Sequence, residues 1–304
     1  MKSKKSKSGK IVNLRLDEEI VRKLDGISSK LLISRSELIR QSLTIYLMLL
    51  ENLGFYFKPS IITNVDVYEE RNAVNVDLGN MSSITIFLTS YSGIGELEED
   101  RLKIKLDDVA EIMAKQILIE AICRFVEPLA IMVSTSNTLD YSLKFLKLLK
   151  KEVERYCKAK VILTSHEPFF DLNGTSISCS TVGLRDLSIK NIPQRGDKIY
   201  LIGEVLSGEE LLNNRSLTVS VETVIELAEM VKKGKINSIF PVKSGGVWEV
   251  VSYAASIAGG KVRCEMNTKN AKGCPATAVI ITASSEVKLN KLKNERFNEI
   301  GEIL

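Results

Sequence analysis

The sequence predicts an α+β fold in two parts: a small strand–helix–helix segment at the N-terminus, then a larger body in which strands and helices alternate. Three observations lead there. The stretch KIVNLRLDEEI alternates apolar and polar residues and then presents an acidic helix start. A second helix start, Ser34-Arg35-Ser36-Glu37, follows within twenty residues. From about residue 61 onward the hydrophobic period switches repeatedly between two and 3.6 residues, the signature of an α+β or α/β domain pair.

In the N-terminal segment, Val12, Leu14 and Leu16 form one row of a strand and Ile11, Asn13 and Arg15 the other. Asp17 stands at an N-cap position, with Glu18 and Glu19 placed to complement the helix dipole. Ile20, Leu24, Ile27 and Leu31 follow as one apolar stripe, which Gly26 weakens by about 1 kcal/mol relative to alanine. Ser34 and Glu37 make a capping box, and the helix behind them runs to Gly54. So small a unit cannot bury both helices alone and is expected to pair with a second copy.

The remaining elements follow in order. FYFKPS, residues 55–60, reads as a linker closed by Pro59. ITNVDVYEE, AVNVDL and SITIFLTS read as strands, DDVAEIMAKQILIEAI as a helix and LAIMVSTS as a strand. LDYSLKFLKLLKKEVERYCK is an amphipathic helix; KVILTS, SISCSTVGL and GDKIYLIGEV are strands. VETVIELAEMVKKG and WEVVSYAASIAG are helical, TAVIITAS is a strand and LNKLKNERFNEIGEIL a terminal helix. The expected domains are a flexible basic tail over 1–9, the strand–helix–helix unit over 10–54, and two subdomains over 61–165 and 166–304.

Composition narrows the classes. With 44% hydrophobic and 26% charged residues the 304-residue chain reads as a globular protein rather than a disordered one. No apolar run reaches the length of a membrane span and MKSKKSKSGK has no apolar segment behind it, so a cytoplasmic protein without membrane contact is expected. The 5 cysteines form no C-x-x-C pair and the single histidine, His166, has no metal-ligand spacing beside it, so no metal site is expected. Trp248, Cys264 and Cys274 read as structural residues. Residues 1–58 hold 12 Lys and Arg against 6 Asp and Glu, leaving 30 against 32 in the rest, which points to a nucleic-acid contact surface at one end.

Residues 10–54 resemble the ribbon-helix-helix family of DNA-binding proteins. The resemblance implies that strands from two chains pair and enter the DNA major groove, with Ile11, Asn13 and Arg15 facing the bases. Arginine suits guanine, asparagine adenine, and isoleucine a thymine methyl. Ser34, Arg35 and Ser36 would grip a phosphate at a helix start, and Lys10 with the lysines of the tail would add non-specific contacts.

Five runs resemble the aminoimidazole-ribonucleotide-synthetase-like (PurM-like) superfamily: TSYSGIGE, KLDDVAEIMA, EPLAIMVSTS, RGDKIYLIGEV and SGGVWEVVSYAASIAGG. They span about residues 60–285. The resemblance implies ATP use and dimers formed through the N-terminal halves. It places candidate ligand-binding residues at Ser92, Gly93, Gly95, Asp107, Asp108, Lys243, Ser244 and Gly245. Ser92 stands where the family has a magnesium-binding aspartate, and Lys243-Ser244-Gly245-Gly246 lacks the carboxylate of the later motif, leaving only Asp107-Asp108 acidic at a family metal position. Magnesium is bound through several oxygens, commonly carboxylates with phosphates. The expectation is therefore a homodimeric, DNA-binding transcription regulator with no catalytic residues, whose body senses ATP or another nucleotide. The alternative is an active ATP-dependent kinase or ligase carrying the same N-terminal head.

Overall fold

A computed structural model of the chain describes residues 13–53, 67–78, 81–166, 172–264, 275–284 and 297–304. The chain divides into two compact units, Met1–Thr63 and Asn64–Leu304.

The first unit contains α1 (Glu18–Leu31) and α2 (Arg35–Leu53). Asp17 is the N-cap of α1, and its carbonyl accepts the Val21 N–H at 3.0 Å. Leu32 ends the helix in the left-handed conformation at φ 55°. Ser34 Oγ accepts the Glu37 N–H at 3.1 Å, the forward half of the capping box. The Glu37 carboxylate does not reach back; it pairs with Arg40 at 2.9 Å. No residue of α1 is buried, and Ile27, Leu31, Leu43, Ile45 and Leu47 are exposed. None of the described side chains of this unit is buried.

The strand expected over residues 11–16 is not shown: residues 13–17 belong to no strand, and residues 11 and 12 lie outside the described residues. A strand is held by hydrogen bonds to a neighbouring strand, and the described residues of this unit supply none. Lys10 and Ile11 lie outside the described residues, as do the linker at 55–60 and Cys274.

The second unit runs β1 (Val67–Glu70), β2 (Ala73–Asp77), β3 (Ser82–Ser92), β4 (Ile94–Gly95), β5 (Leu102–Lys103), α3 (Leu106–Cys123), β6 (Val126–Thr135), α4 (Leu139–Val153), β7 (Lys160–His166) and β8 (Ser176–Asp186). It continues through β9 (Lys198–Ile202), α5 (Gly208–Asn213), a 3₁₀ turn (Arg215–Leu217), α6 (Val221–Lys232), β10 (Ser238–Pro241), α7 (Gly246–Ile257), β11 (Val262–Cys264), β12 (Val279–Ala283) and β13 (Phe297–Ile303). One sheet has the order β1-β2-β3-β8-β6-β7, the other β10-β12-β9-β13-β11, and β4 and β5 form a separate parallel pair.

Helix α3 joins the two layers. Met113 and Ile117 pack with Phe87, Ile131, Phe145 and Ile177 under the first sheet. Leu118, Ile119 and Cys123 pack with Ile202, Leu227 and Ile281 under the second. A helix buried on both sides must be apolar almost all round, which is why its sequence shows little of the one-sided stripe that marks α4. The second sheet is covered on both faces. In β9, Tyr200 and Ile202 face α6 while Ile199 and Leu201 face α7.

Among the described residues of this unit, the first sheet is covered on one face only. Its inner row on β3 is Ser83, Thr85, Phe87 and Thr89; the outer row includes Ile86 and Leu88, and Leu88 is 61% exposed. Val67, Val74 and Ile162 continue the exposed apolar surface on β1, β2 and β7.

The C-terminal helix expected from LNKLKNERFNEIGEIL is corrected over its second half; residues 289–296 lie outside the described residues. Residues 297–303 are strand β13, paired with both β9 and β11. Ile300 and Ile303 are buried. A Cβ on Gly301 would stand 2.2 Å from the Arg263 carbonyl oxygen, so the glycine admits the close strand pairing. Tertiary pairing outweighs helix propensity here. Helix α4 stops at Val153 rather than at Lys158.

Candidate functional site

The first glycine-bearing segment forms one wall of a cleft. Strand β3 ends at Ser92, and Gly93 turns the chain at φ +67°. The Gly93 N–H donates to the Thr175 carbonyl at 2.9 Å, and the Gly93 carbonyl accepts the N–H groups of Arg101 and Leu102 at 2.9 and 3.1 Å. This glycine thus closes a turn and spends its N–H on the protein.

Gly95 has a different role. At φ +155° it lies against three side-chain oxygens. A Cβ there would be 2.4 Å from Thr175 Oγ1, 2.7 Å from Asp100 Oδ2 and 2.9 Å from the Tyr141 hydroxyl. Asp100, only 3% exposed, accepts the Thr175 N–H and hydroxyl, each at 2.7 Å, and the Leu97 N–H at 2.9 Å. Tyr141 shares a hydrogen bond with Thr175 Oγ1 at 2.7 Å. Burial raises the Tyr141 phenol above its ordinary pKa, with the Asp100 charge adding to it. The network fixes the loop that carries Arg101.

The cleft has a volume of about 670 Å³. Ser92, Gly93, Arg101 and Leu102 line one side, and Leu211 and Leu212 of α5 line the other. The size is that of a small-molecule site. Arg101 is exposed and forms no ion pair among the described residues, so its guanidinium is the cation that a bound anion would meet.

Asp107 and Asp108 lie in the first turn of α3, not at its cap, which is Lys105. Asp107 is exposed. Asp108 accepts a hydrogen bond from Arg215 Nη1 at 2.7 Å, and Glu111 stands 3.8 Å from the same nitrogen. Arg215 belongs to a recess of about 80 Å³ that shares Ile112, Leu211 and Pro275 with the cleft.

The second glycine-bearing segment goes elsewhere. None of Lys243, Ser244 and Gly245 lines the cleft. Lys243 Nζ donates to both carboxylate oxygens of Glu120, each at 2.9 Å, and that carboxylate is fully buried. Arg124 completes the arrangement at 3.3 Å. Ser244 is exposed, and the Glu249 side chain folds over Gly245. Beside it, burial works to raise the Glu70 carboxyl, but Arg185, hydrogen-bonded to it, holds it below the ordinary carboxylate range. The candidate role of Lys243 as a free phosphate ligand is therefore corrected: a buried carboxylate already holds it.

In the first unit, Asn13 and Arg15 are exposed, while Arg35 is tied to Asp25 of α1, Nε to Oδ1 at 2.7 Å. Ser34 and Ser36 are exposed at the start of α2. Trp248, expected to be structural, is 41% exposed on α7. Cys123, Cys157 and Cys179 are free thiols. Burial pushes the Cys179 thiol up to about 12, which removes it from nucleophilic chemistry.

No family model matches the chain, and no curated protein matches it in sequence. Solved structures do. The AaThiL complex with AMPPCP and TMP is 14% identical, covers 76% of this chain and 84% of its own, and superposes with a TM-score of 0.51. The thiamine-monophosphate kinase of Stenotrophomonas maltophilia is 12% identical over 78% of this chain and 88% of its own, TM-score 0.51. That of Aquifex aeolicus is 14% identical over 86% and 94%, TM-score 0.50. The body has the PurM-like fold.

These neighbours overturn two expectations. The body was expected to be non-catalytic, yet the solved chains that share its fold are kinases. The chain was also expected to be a DNA-binding transcription regulator, and the enzyme-like neighbours conflict with that assignment. Among the described residues no helix is long and apolar enough to cross a membrane. Arg101 and Arg215 were missed as site residues. Arg101 follows the acidic run ELEED and Arg215 lies in a three-residue turn, and neither setting carries a periodic signal.

Proposed function

We propose that the body binds ATP in the cleft beside Gly93 and transfers a phosphoryl group from it to a small acceptor. The observation that carries this reading is the cleft itself: about 670 Å³, lined by apolar side chains together with Ser92 and Arg101, which forms no ion pair among the described residues. Leu102, Ile112, Leu211 and Leu212 supply apolar surface for a base. Arg101 would meet phosphate oxygens with a fork of donors, and Ser92 would add a hydroxyl. Phosphoryl transfer depends on positioning and charge compensation more than on covalent chemistry, so one well-placed guanidinium matters. The fold, shared with thiamine-monophosphate kinases, supports the reading.

A protein-held magnesium does not fit these residues. Among the described residues no group of three or more His, Cys, Asp or Glu side chains is placed to hold a metal ion, and Asp108 is engaged by Arg215. Arg101→Ala is expected to weaken ATP binding at least about tenfold, the scale of one charge-assisted contact, with an unchanged melting temperature. Isothermal titration with ATP checks this, together with the release or transfer of the γ-phosphate. Wild-type protein that neither binds ATP nor turns it over would remove the assignment.

The apolar outer face of the first sheet leads us to propose that the body pairs with a second copy through it. A large exposed apolar surface rimmed by polar residues marks an association site. The double variant Ile86→Asp, Leu88→Asp places two charges on that face. It is expected to convert the dimer to monomer in sedimentation while leaving the circular dichroism spectrum unchanged; a wild-type monomer would refute the pairing.

A further inference from the structure

Resting on the nucleotide reading above, we propose that Arg215 is a tethered cation. Its guanidinium occupies the place where the carboxylates of α3 would hold a divalent ion, and the cleft therefore binds polyphosphate without a metal.

Asp108 and Glu111 are three residues apart on α3, so they present their carboxylates on one face. Arg215 Nη1 lies 2.7 Å from Asp108 Oδ1 and 3.8 Å from Glu111 Oε2, bridging the pair as a cation would. A guanidinium has donors in a fixed fork and fills carboxylate lone pairs that a metal would otherwise use. Arg215 thus sets one positive charge directly against the two carboxylates of Asp108 and Glu111, which weakens their pull on a divalent ion.

The cation is built in rather than loosely attached. The Arg215 carbonyl accepts the Thr218 hydroxyl at 2.7 Å and the Thr218 N–H at 3.2 Å. Lys115 of α3 donates to the same hydroxyl at 2.5 Å, so the turn is anchored to the helix whose carboxylates it covers. About a third of each of the Arg215 and Asp108 side chains is exposed, so an incoming oxyanion can reach the guanidinium. The recess containing Arg215 shares Ile112, Leu211 and Pro275 with the cleft. A phosphate chain extending past Ile112 would therefore meet Arg215.

Two titrations on the full-length chain test this. In the first, ATP is titrated in EDTA and again in excess Mg²⁺. Wild-type affinity is expected to agree between the buffers to within about threefold, and Arg215→Ala to lose about tenfold in EDTA and recover with Mg²⁺. In the second, Mn²⁺ alone is titrated and followed by electron paramagnetic resonance. The wild type is expected to leave the ion free, Arg215→Ala to bind it, and Arg215→Ala with Asp108→Asn to lose it again. Wild-type ATP affinity that rises more than about tenfold with Mg²⁺ overturns the proposal while leaving the nucleotide site intact. An Arg215→Ala protein that gains no Mn²⁺ affinity also overturns it. ATP that binds in neither buffer removes the nucleotide reading and the polyphosphate half of the proposal with it. The Mn²⁺ titration still decides whether Arg215 holds the cation position.

Discussion

Gly95→Ala is expected to destabilise the body by about 3 kcal/mol or more and to abolish ATP binding in the cleft. Two costs combine. The first is conformational: φ +155° is a region that residues with a Cβ rarely adopt, and holding one there costs of order 1–3 kcal/mol. The second is steric and polar. The new methyl group would stand 2.4 Å from Thr175 Oγ1 and 2.7 Å from Asp100 Oδ2, so those oxygens must move. They are bonded to each other, and moving them strips hydrogen bonds from a carboxylate that is 3% exposed. Gly196→Ala is the control. Gly196 also has positive φ, +86°, but nothing lies within 4 Å of its Cβ direction, so only the conformational cost applies, about 1 kcal/mol. Urea unfolding of the two variants separates strain from clash. Equal midpoints would show that the Asp100–Thr175–Tyr141 network does not close over Gly95. The loss of ligand follows because the same loop delivers Arg101, whose N–H is bonded to the Gly93 carbonyl at 2.9 Å.

Much of the fold is legible in the sequence because the elements that carry it are long. The eleven-residue strands β3 and β8, and helices α4 and α6, show their period over enough residues to be recognised. Elements fixed by tertiary pairing are not legible. β10 has four residues, all buried, and so no alternation to read; β11 has three. β13 has Ile300 and Ile303 at a spacing that also suits a helix, and only the facing strands β9 and β11 decide between the two. The site is legible to a smaller degree for a related reason. Glycines 93 and 95 can be located in a sequence, but which of them turns and which admits a close approach depends on residues far along the chain, Thr175 and Tyr141. The acidic pair at 107 and 108 is visible as well; the arginine that neutralises Asp108 lies in a turn more than a hundred residues later. Charge is readable from sequence, but its partner is not.

Lys243→Ala carries the second large effect, and it distinguishes the two roles that this lysine could have. As a free ligand for phosphate, Lys243 would contribute little to stability and its loss would weaken only binding. As the partner of Glu120 it is structural. Both oxygens of a fully buried carboxylate take its ammonium protons at 2.9 Å, and Arg124 alone, at 3.3 Å, would remain after the substitution. Breaking one partner of a buried pair costs about 3–5 kcal/mol, because the surviving charge stays out of water. Arg124 shares the carboxylate, so the lower end, about 3 kcal/mol, is expected for Lys243→Ala. Lys243→Met combined with Glu120→Gln is expected to recover part of the loss, since the Lys243 and Glu120 charges are removed together while Arg124, 8% exposed, keeps its charge beside a neutral amide. A double-mutant cycle in urea gives the coupling directly. If Lys243→Ala unfolds at the wild-type midpoint, the lysine is not bound to Glu120 and returns to the set of candidate phosphate ligands. If it unfolds earlier and the double variant recovers, α3 and the segment before α7 are joined by a charge pair that no ligand can borrow without exposing Glu120.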